Sequence, residues 1–258
     1  MTVAELNLRF VAVGMGLIGL LLGSFSTVVI YRLPRNEQLV KGRSECPSCH
    51  AILGPIDMVP VFTWLVLRGR CRHCKASVSA MYPLVELTSC ALAVAVVCKY
   101  GASVESVVLG LVCIGLAVTA TIDAQTRRLP NKAIAVIAVL EVVGFSLAAI
   151  RSNAWDDWRR SLMVGAIAFV IALVMYVVSR GGLGEGDVKF APVVWMPLGW
   201  LGWGAAFGGY LVTAMVAAVW AVVVAIHQRK LRKVSIPLGP ALALGAIITI
   251  LTNFTWPR

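Results

Sequence analysis

The feature that most constrains this chain is a series of long apolar segments, each close to the roughly 20 residues that a helix needs to cross a bilayer. The segments are continuously apolar and do not alternate, which excludes a transmembrane β-barrel. Of 258 residues, 59% are hydrophobic and only 14% are charged, whereas a soluble domain carries about 25% charged residues. We therefore expect an all-α, polytopic transmembrane bundle of about eight helices. The predicted spans cover residues 10–31, 83–98, 104–122, 132–150, 161–179, 189–200, 204–226 and 237–254.

The basic residues are distributed unevenly between the loops that join these spans. Most of the 23 Lys and Arg residues lie on one side of the predicted bundle, above all in the loop 32–82. The positive-inside rule then predicts a cytoplasmic position for this loop and an extracytoplasmic position for both termini. The net charge of +11 is explained by this topology, so we expect no nucleic-acid partner.

Four of the seven cysteines form two CxxC pairs in the loop 32–82: Cys46 with Cys49, and Cys71 with Cys74. Two such pairs at this separation are typical of a zinc ribbon. Because so small a module cannot fold on apolar burial alone, we predict a structural zinc ion held by the four thiolates. The alternative is a pair of redox motifs or unliganded thiols; a reducing cytoplasm disfavours disulfides.

Acidic residues inside a predicted span mark functional candidates, because a buried charge in a membrane is costly. Two of them, Asp123 and Asp187, lie at span ends that the topology brings to the same membrane edge. Two aspartates at hydrogen-bond distance share one proton, so one can accept a proton from water while the other polarises a scissile carbonyl. Two alternatives stay open: Asp187 can cap a helix, and Asp123 can pair with Arg127 or Arg128. Polar packing or a hydrogen bond is the expected role of Glu86 and Glu141.

Six ordered motifs resemble those of the bacterial prepilin peptidases, the bifunctional leader peptidase and N-methyltransferase enzymes of type IV pili and type II secretion. The resemblance covers nearly the whole chain and supports the all-α membrane fold. The motifs are GSFSTVVIYRLP at 23–34, WLVLRGRC at 64–71, YPLVE at 82–86, Leu-Pro-Asn at 129–131, GEGDVK at 184–189 and IPLGP at 236–240.

The resemblance implies that Asp123 and Asp187 are the catalytic pair of an intramembrane aspartic endopeptidase. Gly184, Gly186 and Lys189 then support the catalytic loop, and the two glycines leave room for an extended substrate and permit positive φ. The implied substrate is a prepilin or pseudopilin, cut after a Gly at the cytoplasmic face of the bacterial inner membrane, with lipid around its hydrophobic helix. The alternatives are an ion-coupled transporter that uses the intramembrane carboxylates, or a zinc-binding scaffold of a secretion machine.

The family also implies methylation of the new N-terminus with S-adenosylmethionine. Thr27, Met58 and Met81 replace the family's Asn, Asn and Arg, all in the N-terminal half, while both aspartate motifs are intact. The peptidase is therefore the stronger expectation, and the residues that would bind the methyl donor are unknown. We predict that residues 1–82 form the first helix and the cysteine module, and residues 83–258 a seven-helix peptidase core.

Overall fold

The computed structural model describes residues 3–39, 44–180, 182–228 and 238–252. These residues are nearly all helical, with two isolated β-bridges in place of strands. The α-helices are α1 (Val3–Arg32), α2 (Phe62–Val66), α3 (Met81–Tyr100), α4 (Val104–Thr126), α5 (Asn131–Ser152), α6 (Trp155–Val178), α7 (Glu185–Leu201), α8 (Trp203–Gln228) and α9 (Gly239–Thr252).

Six of the described helices are long and apolar enough to cross a membrane: α1, α3, α4, α5, α6 and α8. The other two predicted spans coincide with the shorter helices α7 and α9. The predicted all-α membrane fold is therefore confirmed. Most of the loop between the predicted spans 204–226 and 237–254, and both ends of the second of these spans, lie outside the described residues.

The chain divides into two compact units, Met1–Ala102 and Ser103–Arg258. This division groups α3 with α1, whereas the predicted functional boundary, between residues 82 and 83, falls in the first turn of α3. The functional assignment of the two parts stays a prediction.

In the first unit, α1 and α3 pack closely because α1 carries glycines at the contact. A Cβ atom on Gly19 would lie 2.7 Å from the carbonyl oxygen of Ser89, and one on Gly23 would lie 2.6 Å from Cα of Glu86. Small residues of this kind let helix backbones approach each other in membranes. The pairing brings Glu86 against α1, next to the loop that carries the cysteines.

In the second unit, α7 is fixed at its C-terminal end by α6. Nε of Arg160 donates a hydrogen bond to the carbonyl oxygen of Gly199 at 2.7 Å, and Nη2 donates to that of Trp200 at 2.8 Å. The last carbonyls of a helix have no partner within the helix, so a basic side chain stabilises this end. Phe145 of α5 also stacks on Trp200 with 4.8 Å between ring centroids. These contacts hold α7 in place, with its first turn at the opposite end.

Candidate active site

Asp123 lies in the last turn of α4 and is buried, 5% exposed. Its Oδ2 accepts a hydrogen bond from the backbone N–H of Gly239, the first residue of α9, at 3.1 Å. Among the described residues Asp123 forms no ion pair; the exposed Arg127 donates its backbone N–H to the carbonyl oxygen of Asp123, not to the carboxylate. The carboxylate therefore faces the start of α9 rather than a neighbouring arginine.

Asp187 lies in the first turn of α7, three residues after the N-cap residue. That N-cap is Gly184, so the alternative in which Asp187 itself occupies the cap position is wrong. Instead, Oδ2 of Asp187 accepts a hydrogen bond from the backbone N–H of Gly184 at 3.3 Å, which is one half of a capping box. Gly184 has φ −73° and ψ 147°, so the positive φ that glycine permits is not used here.

Leu129, between α4 and α5, lies against the first residues of both α7 and α9. A Cβ atom on Gly186 would lie 2.9 Å from Cβ of Leu129, and a Cβ atom on Gly239 would lie 3.2 Å from its Cδ2. The same Cβ on Gly239 would lie 2.6 Å from Oδ2 of Asp123. The glycines are therefore needed for close approach, and the ends of three helices meet around one leucine.

The elements that carry the two aspartates share one neighbouring side chain. Gly186, next to Asp187, and Gly239, whose N–H bonds to Asp123, both lie against Leu129. That α4 and α7 bring the two carboxyl groups within hydrogen-bond distance of each other stays a prediction.

Of the remaining residues predicted for the catalytic loop, Lys189 contacts α5. Its side chain is exposed, and its Nζ donates to Oδ1 of Asn131 at 3.5 Å. This contact joins α7 to the first residue of α5, and the supporting role of Lys189 in the catalytic loop stays a prediction. Gly239 and Leu129 belong to two motifs identified in the sequence, IPLGP and Leu-Pro-Asn, but no role was predicted for either residue.

Glu86 and Glu141 differ from each other in their surroundings. Oε2 of Glu86 accepts a hydrogen bond from the backbone N–H of Val61 at 2.7 Å, which agrees with the expected hydrogen-bonding role. Glu141 is fully buried in α5, and neither of its carboxyl oxygens has a hydrogen-bond partner among the described residues.

The four cysteines of the loop converge on one point. Their Sγ atoms all lie within 4.8 Å of one another, and Sγ of Cys46 and Sγ of Cys74 are 3.8 Å apart. Four sulfur ligands at about 2.3 Å from a tetrahedral zinc ion are about 3.8 Å from one another. The cluster can therefore hold a metal ion, and its size and all-sulfur composition fit zinc.

The two CxxC turns have the same backbone construction. The N–H of Cys46 donates to the carbonyl of Ala51 at 3.0 Å, and the N–H of Cys71 donates to that of Ala76 at 2.8 Å. Each turn is flanked by one isolated bridge, Glu45 with Ile52 and Arg70 with Ser77. Backbone N–H groups also point at the sulfur atoms: hydrogen bonds from Ser48 and then Cys49 lower the pKa of Cys46 to about 6. A thiolate, the form that binds metals, is thereby favoured.

Asp57 ties the second cysteine turn to the segment between the two turns. Its Oδ1 accepts from Nε of Arg72 at 2.7 Å, and its Oδ2 accepts from the backbone N–H of Gly54 at 3.1 Å. The hydrogen bond from Arg72 lowers the pKa of Asp57 below its usual value. The carboxylate therefore stays ionised and bridges the two stretches of loop.

Two family models match this chain, in the same order as the two compact units. The bacterial peptidase A24 N-terminal domain matches residues 17–100, which include the four cysteines, and the type IV leader peptidase family matches residues 110–226, which include both aspartates. A prepilin leader peptidase/N-methyltransferase of Burkholderia pseudomallei is 30% identical over 266 residues, covering 90% of this chain and 82% of the relative. The chain belongs to the prepilin leader peptidase family.

Other relatives in the prepilin leader peptidase family cover this chain to a similar extent. The protein of that name from Bacillus subtilis is 28% identical over 90% of this chain and 91% of its own length. The one from Stutzerimonas stutzeri is 30% identical over 91% of this chain and 88% of its own length. Comparison with solved structures gives no match. With six apolar helices of spanning length, this family member is an integral inner-membrane protein.

Proposed function

We propose that this chain is an intramembrane aspartic endopeptidase in which Asp123 and Asp187 form the catalytic pair. It removes the short basic leader of a prepilin or pseudopilin after a Gly, at the cytoplasmic face of the inner membrane. The observation that supports this most directly is geometric: Leu129 lies against Gly186, next to Asp187 in the first turn of α7, and against Gly239, whose N–H bonds to Asp123 in the last turn of α4. A pair of carboxyl groups is the chemical requirement of aspartic proteolysis.

The two carboxyl groups begin the reaction with one proton between them. The ionised aspartate takes a proton from a water molecule as the water oxygen attacks the carbonyl carbon of the Gly, and the protonated aspartate donates its proton to the carbonyl oxygen. The C–N bond then breaks: the newly protonated aspartate gives its proton to the leaving nitrogen, and a hydroxyl of the intermediate returns a proton to the other aspartate. The pair again holds one proton, as it did at the start.

The surroundings of the pair suit an extended substrate backbone. Gly184 is exposed in the loop before α7 and presents no side chain beside Asp187, whereas Leu129 fills the space at Gly186 and Asp123 itself fills the space at Gly239. The first turn of α7 precedes its apolar part, so a substrate can keep its polar leader in water while its hydrophobic helix stays in lipid. In the proposed orientation, the basic loops and this site lie on the cytoplasmic side.

Zinc is proposed as the resident metal of the four-cysteine cluster, in a structural role. Cys46, Cys49, Cys71 and Cys74 would hold it, and no step of the proteolysis involves it. Methylation of the new N-terminus with S-adenosylmethionine is proposed as a second activity. The relatives' names support it, and the buried Thr27, which donates to the carbonyl of Ser24 at 2.7 Å, marks one departure from the family pattern.

The test is mass spectrometry of a prepilin incubated with the purified protein in detergent, with and without S-adenosylmethionine. We expect loss of the leader, and one additional methyl group when the methyl donor is present. Asp123→Asn and Asp187→Asn should each reduce cleavage by about 10²–10⁴-fold, the usual contribution of a general acid or base. Glu185→Gln is the matched control, because it removes an exposed carboxylate two positions before Asp187.

Three results would contradict parts of this proposal. Cleavage retained by either Asn variant, with an unchanged unfolding temperature, removes that aspartate from the mechanism. Leader loss without methylation leaves a peptidase whose N-terminal half is structural. A substrate that stays intact, while a known prepilin peptidase cuts it alongside, indicates a narrower substrate range or favours the transporter alternative.

A further inference from the structure

We propose that residues 55–66 form an interfacial segment that inserts its apolar side chains into the lipid on the side of the membrane that carries the cysteine loop. The segment comprises the 3-10 turn Pro55–Met58 and the short helix α2. The proposal concerns the first compact unit alone and does not depend on the proposed peptidase activity. It rests on which residues are exposed, where the segment is anchored and how its backbone is hydrogen-bonded.

The first observation is a dense group of exposed apolar side chains in a loop between two spans. Ile56 is 72% exposed, Phe62 64% and Leu65 60%, and Met58, Val59 and Val66 are also exposed. The single ionisable residue of the segment is Asp57, and its carboxylate is paired with Arg72. A contiguous apolar surface of this kind marks an interaction site, such as a membrane.

The second observation is the depth at which the segment is attached. The backbone N–H of Val61 donates to Oε2 of Glu86, at 2.7 Å. Glu86 lies five residues into α3, which places it about 7.5 Å along the helix axis from Met81 at 1.5 Å per residue. Since Met81–Tyr100 is a helix of spanning length and apolarity, this hydrogen bond holds the segment beside the membrane-spanning part of α3.

The third observation is that polar groups of the segment are hydrogen-bonded within the protein, as a lipid environment requires. At membrane depth, irregular backbone must have its polar groups satisfied within the protein. The N–H of Thr63 donates to the carbonyl of Val59 and that of Leu65 to the carbonyl of Val61, while the Thr63 hydroxyl donates to the carbonyl of Ile56 at 2.6 Å. Polar groups are turned inward, and the apolar side chains are left outside.

The backbone angles of Val61 indicate that contacts with the rest of the protein hold the segment in this arrangement. Its φ of +61° and ψ of −49° are strained for a β-branched residue. A conformation of this kind persists only where surrounding contacts hold it, and the hydrogen bond to Glu86 is such a contact. Trp64, whose indole N–H donates to the carbonyl of Val78 at 3.1 Å, fixes the other side of α2 to the loop. Phe62 and Leu65 are thereby directed away from the protein.

The charges that follow the segment complement a lipid surface rather than a second copy of the chain. Arg68, Arg70, Arg72 and Lys75 come directly after the apolar residues. Basic residues beside a membrane are attracted to anionic headgroups. A second copy would bring the same positive charges together and would be repelled.

The experiment uses the full-length protein in nanodiscs of phosphatidylethanolamine and phosphatidylglycerol. The substitution Phe62→p-benzoylphenylalanine, and separately Leu65→p-benzoylphenylalanine, places a photoreactive group on the segment, and Ser48→p-benzoylphenylalanine on an exposed position of the first cysteine turn is the control. After irradiation, intact-protein mass spectrometry measures phospholipid adducts. We expect adducts at 62 and 65, and few at 48. Equal yields at all three positions, or crosslinks to another copy or to other protein segments, would overturn the proposal.

The anchor is tested by two substitutions at Glu86 in the Phe62→p-benzoylphenylalanine protein. Glu86→Gln keeps a side-chain oxygen that can accept from Val61, so the adduct yield should be retained. Glu86→Leu removes the acceptor and should lower the yield several-fold. As a measurement that needs no change at Glu86, a fluorescent amino acid at position 62 should be quenched more by lipid brominated at carbons 6 and 7 than by soluble iodide. The reverse order would place the segment in water and would contradict the proposal.

Discussion

Gly239 donates its backbone N–H to Oδ2 of Asp123 at 3.1 Å, across 116 positions of sequence. The contact joins the first residue of α9 to the last turn of α4. The hydrogen bond holds one oxygen of the Asp123 carboxyl group at the start of α9. Glycine is required at this position because a Cβ atom would lie 2.6 Å from Oδ2 of Asp123.

Gly239→Ala should therefore impair cleavage without unfolding the protein. The added methyl group displaces the Asp123 carboxylate, and small displacements of a catalytic group cost about 10²-fold in rate. The measurement is the initial rate of leader removal, together with the unfolding temperature. The matched control is Gly14→Ala in α1, where a Cβ atom meets nothing within 4 Å. If Gly239→Ala cleaves at the normal rate, the contact has no part in positioning Asp123.

Cys46→Ser should lower metal content and unfolding temperature together. Cys46 is buried and lies 3.8 Å from the sulfur of Cys74, so losing this thiolate opens the cluster; removal of a structural zinc site removes folding energy with it. Metal content is measured by inductively coupled plasma mass spectrometry on the purified protein. Cys98→Ser, at an exposed position of α3 outside the cluster, should keep one zinc per chain. One zinc per chain in Cys46→Ser would show that the ligand set is wrong.

Asp57→Asn should destabilise the cysteine loop by about 1 kcal/mol, since Arg72 is half exposed and water weakens the ion pair. Because the pKa of Asp57 is lowered, its stabilisation is complete above the pKa of about 4 of an unfolded Asp and is lost as pH falls through the lower folded value. The difference in unfolding temperature between the two proteins should thus stay constant from pH 8 to pH 6. The control is Asp156→Asn, whose ion pair with Arg159 is fully at the surface and should contribute nothing measurable. A difference that shrinks between pH 8 and pH 6 would contradict the assignment.

Glu141→Met should raise the unfolding temperature in detergent. Both carboxyl oxygens of this buried residue are without a partner among the described residues, and an unsatisfied buried polar group costs about 1–3 kcal/mol. Glu105→Gln is the contrasting variant, because Glu105 accepts a hydrogen bond from the hydroxyl of Ser152 at 2.7 Å, and its change should not stabilise. A lower unfolding temperature for Glu141→Met would mean that the carboxyl group has a partner in the folded protein.

The membrane helices were predictable because their signals are local. Long apolar runs predict the helices, and span ends place Asp123 at the end of α4 and Asp187 at the start of α7. The contact of Gly239 with Asp123 was not predictable, since it depends on how α4 and α9 cross. Likewise, glycine beside Asp187 suggests unusual backbone angles, but Gly184 adopts an ordinary extended conformation. Only the positions of neighbouring helices show that these glycines serve close approach.

The surroundings of the buried acids Glu86 and Glu141 could likewise not be predicted from the sequence. Their positions in predicted spans indicated polar packing or a hydrogen bond for each. The donor to Glu86, the backbone N–H of Val61, could not be predicted because the contact depends on how the loop folds against α3. For Glu141 polar packing or a hydrogen bond was expected, and its carboxyl oxygens have no hydrogen-bond partner among the described residues, because burial in a helix interface does not by itself supply a donor.

The matching construction of the two cysteine turns has a consequence for how this part of the chain can change during evolution. Each turn is closed by its own backbone hydrogen bonds, from Cys46 to Ala51 and from Cys71 to Ala76. Insertions or deletions in residues 53–69 therefore leave the hydrogen bonds that close both cysteine turns in place, whereas a single insertion inside either turn disrupts that turn. The cysteine turns are constrained in length by their own hydrogen bonds, whereas the segment between them is constrained by its contacts with Glu86 and Arg72.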